Sequence, residues 1–160
     1  MTSDLTTGMS PVEIRPAEPH EAGLIGSIVR AAYAKWVPVI GREPRPMQTD
    51  YQKAVHEHQF DVAVESGRIL GLIETMQRDD HLWIENVAVA PEGQGRGIGR
   101  HLLAHAERKA REFGCFEIRL LTNGAFQANL TLYRRLGYAV DREEDFMNGT
   151  TIYMSKKLAR

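Results

Sequence analysis

The sequence is poor in cysteine, in net charge and in long apolar runs, and each shortage removes a class of protein. Cys115 is the only cysteine, so no intrachain disulfide can form and a reducing compartment is compatible. Twenty Lys and Arg stand against 21 Asp and Glu, a formal net charge of −1. That balance gives no global attraction for nucleic acid or for an anionic membrane. No run approaches the roughly 18 consecutive apolar residues of a membrane-spanning helix. The opening MTSDLTTGMS has neither a basic start nor an apolar segment. Residues 1–10 are therefore expected to be a flexible N-terminus rather than a signal peptide, in a cytoplasmic protein without nucleic-acid or membrane partners. Two phosphate-binding signatures are missing as well. G-x-G-x-x-G begun at Gly95 ends on Arg100, and begun at Gly97 on Leu102, while no glycine is followed by Lys-Ser or Lys-Thr; the dinucleotide and Walker patterns both fail.

What is present is the composition of a soluble globular protein, 26% charged and 42% hydrophobic. Its length suits one domain, residues 11–160, able to bury roughly 70% of the surface its unfolded chain exposes. VEIRP (12–16) alternates like a short strand. Leu24, Ile25, Ile28, Val29 and Ala32 repeat at helical spacing, predicting a helix over 20–34 with Pro19 at its start. Segment 36–50 holds several prolines and is expected to be irregular. Asp50 is placed to cap a short helix over 51–58. From Phe60 the period becomes two, and FDVAV, ILGLIETM and HLWIENVAV predict three antiparallel strands joined by tight turns.

Then comes VAVAPEGQGRGIGRHLL (87–103). Ile98, Leu102, Leu103, Ala106, Ala110 and Phe113 form one helical stripe that Gly114 ends. EIRLLT (117–122) follows as a buried strand, and strand–helix–strand in this order predicts a parallel crossover. A helix over 126–136 and two closing strands around Asn148-Gly149 complete an α/β unit with a mixed sheet. Three closely spaced glycines at a helix start exceed what a turn requires. They let backbone approach a ligand without an intervening Cβ, and the helix start offers unpaired N–H groups and the positive end of its dipole. Together they predict a phosphate-type anion site, with Arg96 and Arg100 able to add charge-assisted bonds.

The pattern that does fit is Q-x-x-G-x-G, with Gln94, Gly97 and Gly99, preceded by VAV and followed by LYRRLGY (132–138). In this combination, over about residues 12–158, the chain resembles the GNAT superfamily of acyl-CoA-dependent N-acyltransferases. The resemblance implies an α/β fold with a mixed, mostly antiparallel sheet of about seven strands. It also implies a splayed parallel pair (81–89 and 117–122) and about four helices. It further implies acetyl-CoA as acyl donor, no metal, and direct transfer in a ternary complex to a primary amine, expected on a small molecule, with a peptide or protein amine as the rival. The backbone of Gln94, Gly95, Arg96, Gly97, Ile98, Gly99 and Arg100 would cradle the pyrophosphate. Val87, Ala88 and Val89 would flank the pantetheine arm, with the Val87 amide facing the thioester carbonyl. A non-catalytic acyl-CoA sensor is the alternative class, and a homodimer is compatible with the sequence.

Tyr133 matches the family's general acid, a phenol able to protonate a leaving thiolate; packing of helix on sheet is the competing role. Glu85 stands mid-strand between Trp83 and Val87, where strict alternation would put all three on one face. Two readings of it stay open: a general base with a raised pKa, or a carboxylate that is solvated or paired with an arginine. The asparagine many relatives carry seven positions before the tyrosine is Phe126 here. Asn129, one helical turn before Tyr133, or Asn123 can replace it. Tyr33 and Trp36 are expected to wall the acceptor site. Arg42 and Arg45 suit a carboxylate, whereas Asp141, Glu143, Glu144 and Asp145 suit a polycationic amine. His101 and His105 are expected on a solvated helix face, and His56-Glu57-His58 at a helix end. Cys115 is expected to be buried, about 21 Å of helix away from the glycine loop.

Overall fold

The computed structural model describes residues 11–160, so the expected flexible segment 1–10 lies outside the described residues. Strand β1 (Glu13–Pro16) leads into helix α1 (Ala22–Tyr33), and α2 (Tyr51–Glu57) precedes the meander β2 (Gln59–Glu65), β3 (Arg68–Gln77) and β4 (Leu82–Val89). Helix α3 (Ile98–Glu112), β5 (Glu117–Asn123), α4 (Gln127–Arg135), β6 (Ala139–Phe146) and β7 (Gly149–Lys157) follow. The strands form one seven-stranded sheet in the order β1-β2-β3-β4-β5-β7-β6. Only β4 and β5 run parallel, as a crossover through α3 requires. Asp50 caps α2 by accepting the Lys53 amide at 3.3 Å. Segment 36–50 is more regular than its prolines suggest, with a helical turn at Val37–Ile40 and a 3-10 turn at Arg45–Gln48. Pro38 and Pro46 stand in the first turns of these pieces, where a missing N–H breaks no bond.

The sheet carries a core on each face. Ile98, Leu102, Leu103, Ala106 and Ala110 of α3 pack on Leu70, Ile73, Ile84, Ile118 and Leu120. On the other face Ile25, Ile28 and Val29 of α1 cover Val62, Leu72 and Ala88. Phe113, expected on the α3 stripe, is 43% exposed. It is the helix's last cap residue, where the chain turns, and Cys115 joins the core in its place.

Two features of the sheet set up the site. Pairing of β3 with β4 runs Ile73–Val87, Glu74–Asn86, then Thr75–Ile84, which leaves Glu85 as the extra residue of a β-bulge. Leu82 and Ile84 face α3, whereas past the bulge it is Val87 and Val89 that face α3 and Ala88 that faces α1. The expected common face of Trp83, Glu85 and Val87 is therefore broken: Trp83 and Glu85 stay together, and Val87 has crossed. Second, β4 and β5 pair only from Leu82–Ile118 to Ile84–Leu120. Beyond the bulge the two strands part.

Two predictions follow from this packing. A Cβ on Gly71 would lie 2.9 Å from the Ala88 carbonyl and 3.3 Å from Ile98 and Leu102. Gly71→Ala should cost about 1–3 kcal/mol in denaturant unfolding; an unchanged midpoint would mean that β3 and α3 are less closely apposed. Arg15 clamps Glu21 with two bonds of 2.9 and 2.8 Å, tying β1 to the entry of α1. Those bonds are the main reason the Glu21 carboxyl is lowered from 4.5 to about 2. Its contribution is complete above the unfolded value and is lost as pH falls through the folded one. Glu21→Gln should lower the melting temperature at neutral pH and flatten the decline between 4.5 and 2, measured by calorimetry across that range.

Candidate active site

The parting of β4 from β5 opens a cavity of about 550 Å³ between β4, the glycine loop, the end of α1 and helix α4. The Ala90 amide is spent on the Leu70 carbonyl at 2.8 Å. By strand alternation the amides of Val89 and Val87 point the other way, into the gap. On that same side the Gln94 side chain donates to the Val89 carbonyl at 3.1 Å, holding the loop against the strand end. Gly97 caps α3 at φ 79°, a left-handed conformation costly for any residue with a Cβ. The first bond of the helix ladder runs from His101 to Gly97 at 3.1 Å, so the amides of Ile98, Gly99 and Arg100 lie ahead of the ladder at the positive end of the dipole.

Most of the expected cofactor residues meet here. Val87, Ala88 and Val89 line the cavity on one side, and Gln94, Gly95, Gly97, Ile98, Gly99 and Arg100 at its loop end. Asn129 and Tyr133 come from α4. Arg96 departs from its expected part, because its guanidinium is turned away into an ion pair with Glu65. Two cations that the sequence did not single out, Lys35 and Arg135, join Arg100 on the wall. Among the described residues no carboxylate lines this cavity. A slot with unpaired amides, a glycine-capped helix start and three cations fits an elongated polyanion such as an acyl-CoA.

A second cavity of about 360 Å³ lies on the far side of Tyr133, between the 40–46 segment, β4, β5 and the β6–β7 hairpin. Tyr33, Val87, Asn129 and Tyr133 line both cavities and form the neck between them. Tyr133 is buried, and burial raises its phenol well above the ordinary value, so it stays protonated through neutral pH. Tyr33 spans both cavities as an acceptor wall requires, but Trp36 lines the first cavity, stacked on Phe126 with centroids 4.5 Å apart. Phe126, which stands where relatives carry asparagine, thus packs rather than hydrogen-bonds. Asn123 is occupied as well, accepting the Ala125 amide at 2.8 Å.

Glu85 lines the second cavity. It is exposed and accepts from the Trp83 indole at 2.9 Å, a solvent-facing carboxylate rather than a buried one. The buried carboxylate of this region is Glu74, raised chiefly by burial, with His58 at 2.5 Å. Behind the neck, buried Asn86 accepts from Tyr33 at 2.7 Å and donates to Tyr51 at 3.3 Å. The sequence signal for Asn86 was a polar residue at an inward strand position, overshadowed by its neighbour Glu85. Cys115 is buried and lines neither cavity. His105, expected on a solvated face, instead lies 3.4 Å from the buried Asp61, a partner contributed by β2. No helix of the described residues is long and apolar enough to cross a membrane.

Among curated proteins, a streptothricin acetyltransferase of Streptomyces lavendulae is 39% identical over 61 residues, which is 38% of this chain. The match spans 32% of that relative's length. Among solved structures, the PaiA N-acetyltransferase of Thermoplasma acidophilum in complex with coenzyme A superposes with a TM-score of 0.81. It shares 19% identity, with 92% of this chain and 99% of that one covered. A nourseothricin acetyltransferase gives 0.72 at 20% identity, covering 92% and 99%. At such identities these structures speak for the fold. The sequence itself carries the assignment: residues 25–138 match the model of the acetyltransferase (GNAT) family, and the chain belongs to that family.

Proposed function

We propose that the protein is an N-acetyltransferase that moves an acetyl group from acetyl-CoA directly to the primary amine of a small molecule. The observation that carries this reading is the neck: Tyr133 and Val87 stand where a polyanion-fitting cavity meets a second, smaller one. Bound acetyl-CoA supplies an acyl carbon already activated as a thioester. The Val87 amide, turned into the gap, donates to the oxygen on which negative charge develops. Glu85, on the wall of the second cavity, accepts the proton that the amine nitrogen must lose, directly or through a water. Tyr133 delivers its phenolic proton to the sulfur. Glu85 then releases its proton to solvent and the Tyr133 phenolate regains one, so the balance is one N–C bond formed, one C–S bond broken and a net proton moved from nitrogen to sulfur. The size of the second cavity supports a small acceptor.

Two measurements test the reading. Calorimetric titration should give saturable binding of acetyl-CoA and CoA but not of ATP. Gly97→Ala should weaken CoA binding on the order of tenfold through strain at the left-handed position; absence of CoA binding by the parent protein would end the proposal. Tyr133→Phe should lower kcat by about 10²- to 10⁴-fold while leaving the CoA dissociation constant within about twofold. Undiminished turnover in that variant would remove the phenol from the proton path.

A further inference from the structure

The charges around the second cavity define the acceptor more narrowly. Arg42, Arg45, Glu85 and Glu144 line it. Glu144 is already held by Arg142 at 2.7 Å, and the Arg142 guanidinium lies 3.7 Å from the centroid of the Tyr153 ring. Asp141 accepts from Ser155 at 3.0 Å, and neither it, Glu143 nor Asp145 lines this cavity. The acidic run that suits a polycationic amine is thus compensated or turned elsewhere. Arg42 and Arg45 are not compensated: among the described residues neither has a carboxylate at ion-pair distance. Arg42 is half-buried, with its guanidinium 5.7 Å from the Phe146 ring centroid at the cavity wall.

The backbone that carries Arg45 is held in place. Arg45 lies between Pro44 and Pro46, whose rings lock the backbone. The Met47 amide donates to the Pro44 carbonyl at 3.0 Å, and the Tyr51 hydroxyl donates to the Pro46 carbonyl at 2.8 Å. Tyr51 in turn accepts from Asn86, and Asn86 accepts from Tyr33 at the neck. An unbroken hydrogen-bonded chain therefore sets the position of the arginine turn relative to the point of transfer.

We propose that the acceptor is an amino acid: a primary amine that also carries a carboxylate, with the carboxylate held by Arg42 and Arg45 and the amine directed to Glu85 and the neck. The proposal rests on the acetyltransferase reading and names its substrate class. Two uncompensated guanidinium groups attract a carboxylate and repel an additional cation, and the held backbone at Arg45 lowers part of the ordering cost of binding. The apolar part of the lining, including Ile84, Leu121 and Phe126, suits an uncharged side chain. Transfer is unchanged: the amine nitrogen gains the acyl carbon, the C–S bond breaks, and the proton passes from nitrogen to sulfur.

The test pairs amino acids with the amines that differ from them only by the carboxylate. Glycine and methylamine, alanine and ethylamine, leucine and isoamylamine, phenylalanine and phenethylamine, and lysine and cadaverine are compared by thiol release. The amino acid of at least one pair should be favoured on the order of tenfold to 100-fold in kcat/KM, the scale of a charge-assisted contact. In Arg42→Gln/Arg45→Gln that ratio should collapse towards one. Equal or better turnover of the amines in every pair, or a ratio unmoved by the double substitution, overturns the proposal. A second readout is independent of turnover: calorimetric titration of the CoA-saturated protein with N-acetylphenylalanine and with N-acetylphenethylamine. Tighter binding of the acid, lost in the double variant, supports the carboxylate site; equal binding overturns it. If no acceptor of either kind releases thiol, the transfer reading fails by itself, and the titration still decides the carboxylate site.

Discussion

The parting of β4 from β5 is the constraint on which the rest of the molecule depends. Separating two paired strands leaves backbone N–H and C=O groups without partners, a cost folded proteins rarely accept. Here the loss is confined to one side of each strand. β4 remains paired with β3 as far as Gly71–Val89, and β5 with β7 as far as Asn123–Thr151. The bulge at Glu85 comes immediately after the last β4–β5 pair, Ile84–Leu120. Bulges increase local twist and bend the strand that carries them, which accounts for β4 leaving its neighbour there. The cohesion of the sheet survives, and the unpaired amides of β4 face the cavity.

What enters the gap is arranged by charge. The glycine loop and the start of α3 supply dipole and amides, and Lys35, Arg100 and Arg135 supply formal positive charge. They come from three separate parts of the chain, and no carboxylate among the described residues joins them on the wall. Beyond the neck the charge is mixed, with two guanidinium groups and two carboxylates. One fold thus offers two environments separated by Tyr33, Val87, Asn129 and Tyr133. An anionic donor and an acceptor of different charge can each find its own side without competing for the same groups.

The sequence made legible what is set by residues a few positions apart. The β2–β4 meander follows from period-two alternation, the buried face of α3 from helical spacing, and the start of α2 from Asp50. The loop at 94–100 could be placed because its glycines, its helix and its strand are contiguous. Long-range partners were not legible. Glu65 reaches Arg96 across 31 positions and Asn86 reaches Tyr33 across 53, and no spacing rule announces such meetings. The bulge belongs to the same class. Whether Val87 shares a face with Trp83 depends on register against β3, which alternation along β4 alone cannot supply. Trp36 was assigned to the acceptor side for a like reason: its stacking partner, Phe126, comes from another element.

The composition of the neck bears on how an acyl group would cross it. A covalent relay needs a nucleophile facing both cavities. Cys115, the chain's one thiol, is buried with its sulfur 4.0 Å from the Arg78 carbonyl and reaches neither cavity. Val87 and Asn129 offer no nucleophile. Tyr33 and Tyr133 offer hydroxyls, but burial raises both phenols well above their ordinary values. The phenolate form a nucleophile would need is thereby suppressed, and the donor form is preserved. Groups that can donate hydrogen bonds and protons, yet cannot carry an acyl group, favour transfer in one step between two molecules bound together. The protein's share of such a transfer would be the alignment of two cavities on one neck, where orientation can supply several kcal/mol of a barrier, about 7–11 in favourable cases. That alignment is set by the bulge, by the Tyr33–Asn86–Tyr51 chain and by the packing of α4, and Asn86 and Tyr51 have no part in the proposed proton transfers.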